Sequence, residues 1–163
     1  MQIRDSIEAD LPGMLAIYNA VIASSTAVFS EAPVTLENRR AWRAARLEAG
    51  YPVLSAEEGG EVIGFGALGP FRVGDGYRAT VEHSVHVRED RRGRGVGTAL
   101  LEALIRRAEA QGARDMIAGL DAANAGSIRM HERLGFESAA LLPDVAEKWG
   151  RRLDLMLMRK RLA

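Results

Sequence analysis

Arg92-Gly93-Arg94-Gly95-Val96-Gly97-Thr98 separates two stretches of opposite character. Before it lies Val81 to Val87, apolar and β-favouring; after it, Thr98 to Gln111 is strongly helical. Alternate glycines at a strand-to-helix turn leave the backbone bare. Its N–H groups can then close around an anion at the positive end of the helix. The adjoining arginines add full positive charge, so the stretch reads as a pyrophosphate seat. The spacing Gly-x-Gly-x-Gly differs from the Gly-x-Gly-x-x-Gly of dinucleotide folds, and no lysine follows as a nucleoside-triphosphate loop requires. The bland alternative is a flexible, arginine-rich surface turn.

Outward from this turn, the chain alternates strand and helix signals. Gln2 to Ser6 reads as a strand. Glu8 to Ser24 is helical, with Leu11, Met14, Leu15, Tyr18 and Ile22 at helical spacing. Thr35 can cap a second helix, Leu36 to Ala49, which Gly50 stops. Tyr51 to Glu57 and Glu61 to Leu68 form a hairpin about Glu58-Gly59-Gly60. Phe71 to Tyr77 is a loop and Arg78 to Val87 a long strand. Beyond the turn, Val96, Leu100, Leu104 and Ala108 mark one helix face. Arg114 to Asp121 is a strand, Asn124 to Leu134 a short helix ended by Gly135, and Phe136 to Leu142 and Arg152 to Met158 the last strands. The order βααβββαβαββ predicts a mixed α/β layer structure.

At 163 residues, with no linker or repeat, one domain is expected. Lys plus Arg balance Asp plus Glu at 22 each, which argues against a general nucleic-acid or membrane-surface binder. The absence of cysteine excludes disulfides, a cysteine nucleophile and thiolate metal sites. No apolar signal core or membrane-length run is present, so a cytoplasmic location is expected.

Two residues stand out as proton carriers. Glu82 lies in an otherwise apolar or small strand, where a carboxylate reads either as a base or as an edge group facing solvent. His131 lies in the short helix and reads either as a proton carrier or as a capping or core histidine. His83 and His86 are three apart in a strand and should face opposite ways. No His-x-x-x-His or His-Glu-x-x-His spacing occurs, and no metal is expected.

The chain resembles the GNAT superfamily of N-acetyltransferases. The resemblance rests on Arg92-x-x-Gly95-x-Gly97, on Asn124 followed by Ser127, and on Leu134-Gly135-Phe136. More narrowly it is similar to the phosphinothricin and methionine sulfoximine N-acetyltransferases, through Ile17-Tyr18-Asn19, Pro52-Val53-Leu54, Thr80 to Val85 and Met130-His131-Glu132. Histidine at position 131 suits that branch, where many relatives carry tyrosine. The resemblance implies a GNAT fold with a splayed central sheet. It implies acetyl-CoA as donor, held by Val85, His86, Val87, Arg92, Gly93, Arg94, Gly95, Val96, Gly97, Thr98, Asn124 and Ser127. A free backbone N–H near Val87 would polarise the thioester carbonyl, worth on the order of 3 kcal/mol. Glu82 and His131 carry over as the catalytic pair, with their division of labour left open.

The acceptor is expected against Phe29, Phe71, Arg72, Tyr77, Arg78 and Glu82. Guanidinium groups grip carboxylate or phosphinate in two-pronged fashion, although an exposed basic loop is the bland reading of Arg72 and Arg78, and a core anchor that of Phe29. Trp42 and Trp149 read as packing residues, Trp149 also as a dimer contact. The resemblance thus implies direct acetyl transfer to the α-amine of a small amino-acid analogue: phosphinothricin, methionine sulfoximine or methionine sulfone. A homodimer is expected. The loop Phe71-Arg72-Val73-Gly74-Asp75-Gly76-Tyr77 departs from the phosphinothricin pattern and leaves the acceptor open. A protein N-terminus, a polyamine, an aminoglycoside and a non-catalytic CoA-binding sensor are the rival readings.

Overall fold

The computed structural model describes residues 1–163. Its strands are β1 (Gln2–Asp5), β2 (Val53–Glu58), β3 (Glu61–Pro70), β4 (Thr80–Val87), β5 (Asp115–Asp121), β6 (Glu137–Lys148) and β7 (Arg151–Arg161). The helices are α1 (Leu11–Ser24), α2 (Leu36–Glu48), α3 (Val96–Ala110) and α4 (Ala125–Arg133), and the chain order is the one the sequence predicts. The strands form one sheet, β1-β2-β3-β4-β5-β7-β6. Every neighbouring pair is antiparallel except β4–β5.

Among the boundaries that differ from the sequence reading, three have a local physical cause. The first helix starts at Leu11, after a 3-10 turn at Glu8–Asp10. Pro12 has no N–H to return to the Glu8 carbonyl, so the Leu11 N–H takes that acceptor in a tighter turn. Arg78 is not in a strand: it closes a 3-10 turn at Asp75–Tyr77, and β4 begins at Thr80. β6 continues past Leu142 to Lys148, carrying Pro143. A register irregularity between Leu142 and Ala146, with Asp144 at φ 55°, accommodates this proline on an edge strand.

Two cores sandwich the sheet. On one face α3 and α4 bury Leu100, Leu101, Leu104, Met116, Ala118, Phe136 and Met158. On the other, α1 and α2 cover Leu11, Met14, Ile17, Phe65 and Ala67, with Tyr18 and Trp42 at the margin. β4 alternates between these environments. Val81, Val85 and Val87 join the α3–α4 core, whereas His86 meets Tyr18 and Phe65 on the α1–α2 side.

The parallel junction is short. β4 and β5 pair only at Thr80↔Asp115, Val81↔Met116 and Glu82↔Ile117. Beyond Glu82, β4 stays with β3 as far as Val87↔Gly64, and β5 stays with β7 as far as Asp121↔Leu155. The two half-sheets therefore part, and Ser84 to Val87 have no partner strand on the β5 side.

A buried carboxylate fixes the start of the fold. Asp10 is 4 % exposed and accepts from Arg4 Nη1 and Nη2 at 2.7 and 2.9 Å, from Ser55 Oγ at 2.8 Å and from the Ile7 N–H at 2.9 Å. Burial pushes its carboxyl up, but these hydrogen bonds outweigh it and the group lies below the usual carboxylate range. Asp10→Ala removes four hydrogen bonds from three residues and should lower unfolding free energy by about 3 kcal/mol. Urea titration of the two proteins measures this, and a loss under about 1 kcal/mol would deny Asp10 its anchoring role.

Candidate active site

The glycine turn leaves the start of α3 uncapped, a geometry that can receive an anion. Gly93 and Gly95 have φ of 73° and 81°, a left-handed conformation that glycine adopts without a side-chain clash. Gly95 caps α3, and the first backbone bond of that helix runs from the Ala99 N–H to the Gly95 carbonyl at 3.0 Å. No side chain caps the helix and its first turn carries no acidic residue, so the N–H groups of Val96, Gly97 and Thr98 stay open. The arginines around the turn divide in two. Arg88 pairs with Glu61 and Asp90, and Arg91 with Glu58 and Asp90. Arg92 and Arg94 are exposed, and neither is in an ion pair; Arg92 only reaches the Val87 carbonyl, at 3.4 Å.

The parted strands enclose a cavity of about 110 Å³. Val85 and His86 of β4, Gly119 to Asp121 of β5, and Asn124, Ser127 and His131 of the α4 region line it. Asn124 caps α4 by accepting from the Ser127 N–H at 3.1 Å. A larger concavity, about 550 Å³, lies between α1 and the Val87-to-Arg92 segment, with Arg92 on its rim. Of the residues expected to hold the cofactor, Val85, His86, Asn124 and Ser127 line the cavity, Val87 and Arg92 line the larger concavity, and Gly93 to Thr98 line neither.

Glu82 faces the α1–α2 side. Its cross-strand partner is Gly69, and a Cβ placed on Gly69 would lie 2.1 Å from Arg46 Nη1. The missing side chain thus makes room for the Arg46 guanidinium over the sheet, beside Glu82. Burial pushes the Glu82 carboxyl above its ordinary range, and the charges of Arg72 and Arg46 only partly offset this. Arg72 is exposed, stacks at 4.4 Å over the Phe71 ring and bonds the Phe71 carbonyl. Phe71 and Tyr77 meet edge to face at 5.9 Å. Arg78 is also exposed but turns back to the Asp75 carbonyl at 2.9 Å and does not figure among the charges acting on Glu82.

His131 lies across the sheet from Glu82. It is 2 % exposed. Its Nδ1 stands 2.7 Å from the Ser127 carbonyl, which can only accept, so this nitrogen carries the proton. Its Nε2 stands 3.0 Å from Nε2 of His83. The rings are tilted by 18° with centroids 5.1 Å apart, so they meet end to end in one plane rather than face to face. With His131 neutral, His83 donates, and His83 Nδ1 is buried without a partner. Burial pushes both histidines down, His83 to about 3. His131 thus presents no free ring nitrogen to the cleft. No group of three or more His, Cys, Asp or Glu side chains gathers as metal ligands would.

The loop between α1 and α2 closes one side of the cavity. Lys148, wholly buried, donates to the carbonyls of Ile22, Ser25 and Val28 at 2.7, 2.7 and 2.9 Å. Thr26 Oγ1 donates to Asp121, and Asn19 clasps the N–H and carbonyl of Val34. Ala27 lines the cavity; Phe29 is half-buried and belongs to neither core cluster. Arg46, His83 and Lys148 were not among the site residues expected from sequence. A signal existed for Arg46: it lies seven residues after Arg39, two helical turns along the face that carries Trp42.

The chain matches the model of the acetyltransferase (GNAT) family over residues 14–136. It is 52% identical to an L-methionine sulfoximine/L-methionine sulfone acetyltransferase of Pseudomonas paraeruginosa, over 98% of this chain and 94% of the relative. The crystal structure of a ribosomal-protein-alanine N-acetyltransferase from Brucella melitensis superposes with a TM-score of 0.98 at 44% identity, covering 99% and 100% of the two chains. That of a GNAT phosphinothricin acetyltransferase from Sinorhizobium meliloti, in complex with acetyl-CoA, gives 0.96 at 35% identity over 99% and 88%. The open N–H groups at the α3 terminus, the split sheet and these likenesses converge: the chain belongs to the GNAT family of acetyltransferases.

Proposed function

We propose that this chain acetylates the α-amine of a small amino-acid analogue, with methionine sulfone, methionine sulfoximine and phosphinothricin as its acceptor class. The observation that carries the reading is Glu82, a half-buried carboxylate at the end of the β4–β5 ladder, raised in pKa by burial and acted on by the charges of Arg72 and Arg46. The similarity to enzymes named for these acceptors supports it.

Acetyl-CoA supplies the activated thioester. The N–H groups of Val96, Gly97 and Thr98 and the charges of Arg92 and Arg94 hold its pyrophosphate. The unpartnered edge of Ser84 to Val87 pairs with its amide-bearing arm, and Asn124 and Ser127 flank the arm from α4. An amino-acid acceptor arrives as an ammonium and must lose a proton before it attacks. Glu82 takes that proton, directly or through a water; the C–N bond forms, the C–S bond breaks, and the proton that the acylated nitrogen then sheds goes to the departing sulfur. His131 has both ring nitrogens engaged, by the Ser127 carbonyl and by His83, so it assists only when its bond to His83 opens. Arg72 and Arg78, with Phe29, Phe71 and Tyr77, hold the acceptor. No helix is long and apolar enough to cross a membrane. We further propose a homodimer through β6 and the following turn, where Leu141, Leu142, Val145 and Trp149 are 39–53 % exposed.

The second reading, a protein N-terminus as acceptor, draws on the likeness to the Brucella protein. Thiol release from acetyl-CoA separates the two. Methionine sulfone, sulfoximine or phosphinothricin should turn over at least ten times faster than an alanine-initiated peptide; the reverse order would refute the amino-acid reading. At pH 7, Glu82→Gln should cost about 100-fold in kcat/KM. That deficit should shrink as pH rises through the acceptor's own pKa, because the amine then arrives neutral. A pH-independent deficit would mean that Glu82 does not handle this proton. Arg72→Met removes a cation that stabilises the ionised carboxylate, so the acidic limb of the kcat/KM profile should move to higher pH.

Cofactor binding is tested apart from chemistry. Arg92→Ala with Arg94→Ala removes two exposed charges that are not in ion pairs. It should raise the acetyl-CoA KM by about 10- to 100-fold, leave the melting temperature in place, and weaken the salt dependence of that KM. An unchanged KM would place the pyrophosphate elsewhere.

A further inference from the structure

Four arginines lie on α2, and three have partners. Arg39 bonds Asn38 Oδ1 and stacks over Tyr18 and Trp42 at 4.3 and 4.8 Å. Arg40 pairs with Glu8, and Arg43 bonds the hydroxyl and carbonyl of Ser6. Arg46 has none. It is half-buried, its guanidinium lies over the bare backbone of Gly69, and it makes no hydrogen bond or ion pair with any side chain. Glu82, across the register from Gly69, is likewise in no ion pair, and neither is Arg72.

Opposite charges this close on one sheet face ordinarily collapse into a bidentate pair. Here Arg46 lies over the residue opposite Glu82, the charges of Arg46 and Arg72 both act on Glu82, and none of the three pairs with another. The pattern is the complement of a zwitterion that carries a second polar head. Arg46 comes from a helix and rests on a strand, whereas Arg72 is exposed on a loop, so Arg46 is the better pre-organised of the two. A planar fork on a rigid element suits a carboxylate, the group that all α-amino acids share.

Building on the proposed acceptor class, we infer that Arg46 is the residue that binds the α-carboxylate of the acceptor, leaving Arg72 to meet its sulfone, sulfoximine or phosphinate head. In that pose the ammonium lies beside Glu82, within reach for deprotonation. Gly69 belongs to the same device, because any side chain there would displace the fork. Arg46 is then a specificity-determining residue: it admits amino acids and discriminates against amines that lack a carboxylate.

The test compares methionine sulfone with its carboxamide, as substrates or as competitive inhibitors of one another. Wild type should favour the acid by about 100-fold in kcat/KM, and Arg46→Met should bring the ratio close to one by raising the acid's KM, with the acetyl-CoA KM unchanged. Arg46→Lys, which keeps the charge without the fork, should recover part of the preference. Thermal melting checks that both variants fold. Equal loss on acid and amide, or an acid-to-amide ratio that survives in Arg46→Met, overturns the assignment of Arg46 alone. A wild-type protein that turns over none of the three amino-acid analogues overturns the acceptor class, and the role of Arg46 with it.

Discussion

The pairing of β4 with β5 over only three residues is the constraint on which the rest of the molecule depends. A parallel pair needs a crossover, and here α3 supplies it, entered through the glycine turn. The N-terminus of α3 thus lies just past the free end of β4, where the strands have parted. An anion seat and an unpaired strand edge arise together from one topological event. Had the ladder continued to Val87, the amide edge would be closed by β5 and the turn would serve no cleft.

A sheet parted in this way needs bracing, since its halves share little backbone pairing. Lys148 provides it. It belongs to the β6–β7 hairpin of the second half-sheet, yet its ammonium ends among carbonyls at the C-terminal end of α1, which packs on the first. That end of a helix carries partial negative charge, and three accepting carbonyls use all three ammonium donors. Burial still pushes the Lys148 pKa down, with the charge of Glu31 acting the other way. Thr26 on Asp121 adds a second tie across the opening, and the Trp149 N–H on Glu31 a third. The α1–α2 loop thereby becomes a strap rather than a free segment. Its Ala27 lines the cavity because both ends of the strap are held.

Much of this was legible in the chain because it rests on local chemistry. Glycines before a helical run, the β-favouring stretch Val81 to Val87 and the Gly59-Gly60 hairpin act within a few residues. The lone glutamate of the apolar strand was found for the same reason. Arg46 was not, because its meaning depends on the β3–β4 register that sets Gly69 opposite Glu82, and on a helix that crosses above them. In isolation, four arginines in a polar helix read as a solvated face. His83 was recognised only as facing away from His86; its bond to His131 spans 48 positions of sequence. β6 runs past the expected end at Leu142 because an edge strand tolerates Pro143, and nothing local announces that this strand lies at an edge.

Strand periodicity imposes one last asymmetry. Glu82 and His83 are adjacent, so they face opposite sides of the sheet, and the backbone of β4 separates the carboxylate from the histidine pair. The α1–α2 side is charged, holding Glu82, Arg46 and Arg72; the α3–α4 side holds neutral imidazoles beside Phe136 and Met130. In the proposed reaction the acceptor's charge decides what this division does. An ammonium is drawn to the carboxylate, while the carboxylate of the same molecule is drawn to the guanidinium groups. After transfer the nitrogen is an amide and carries no charge, so its attraction to Glu82 is lost while the product's own carboxylate remains. Binding is thereby weakened at the nitrogen alone, the one point where substrate and product differ in charge. A site that held the acceptor only through its carboxylate would keep substrate and product about equally well. In the proposed reaction the Glu82 carboxylate, on the same face as Arg46, is what would let that face release the product selectively.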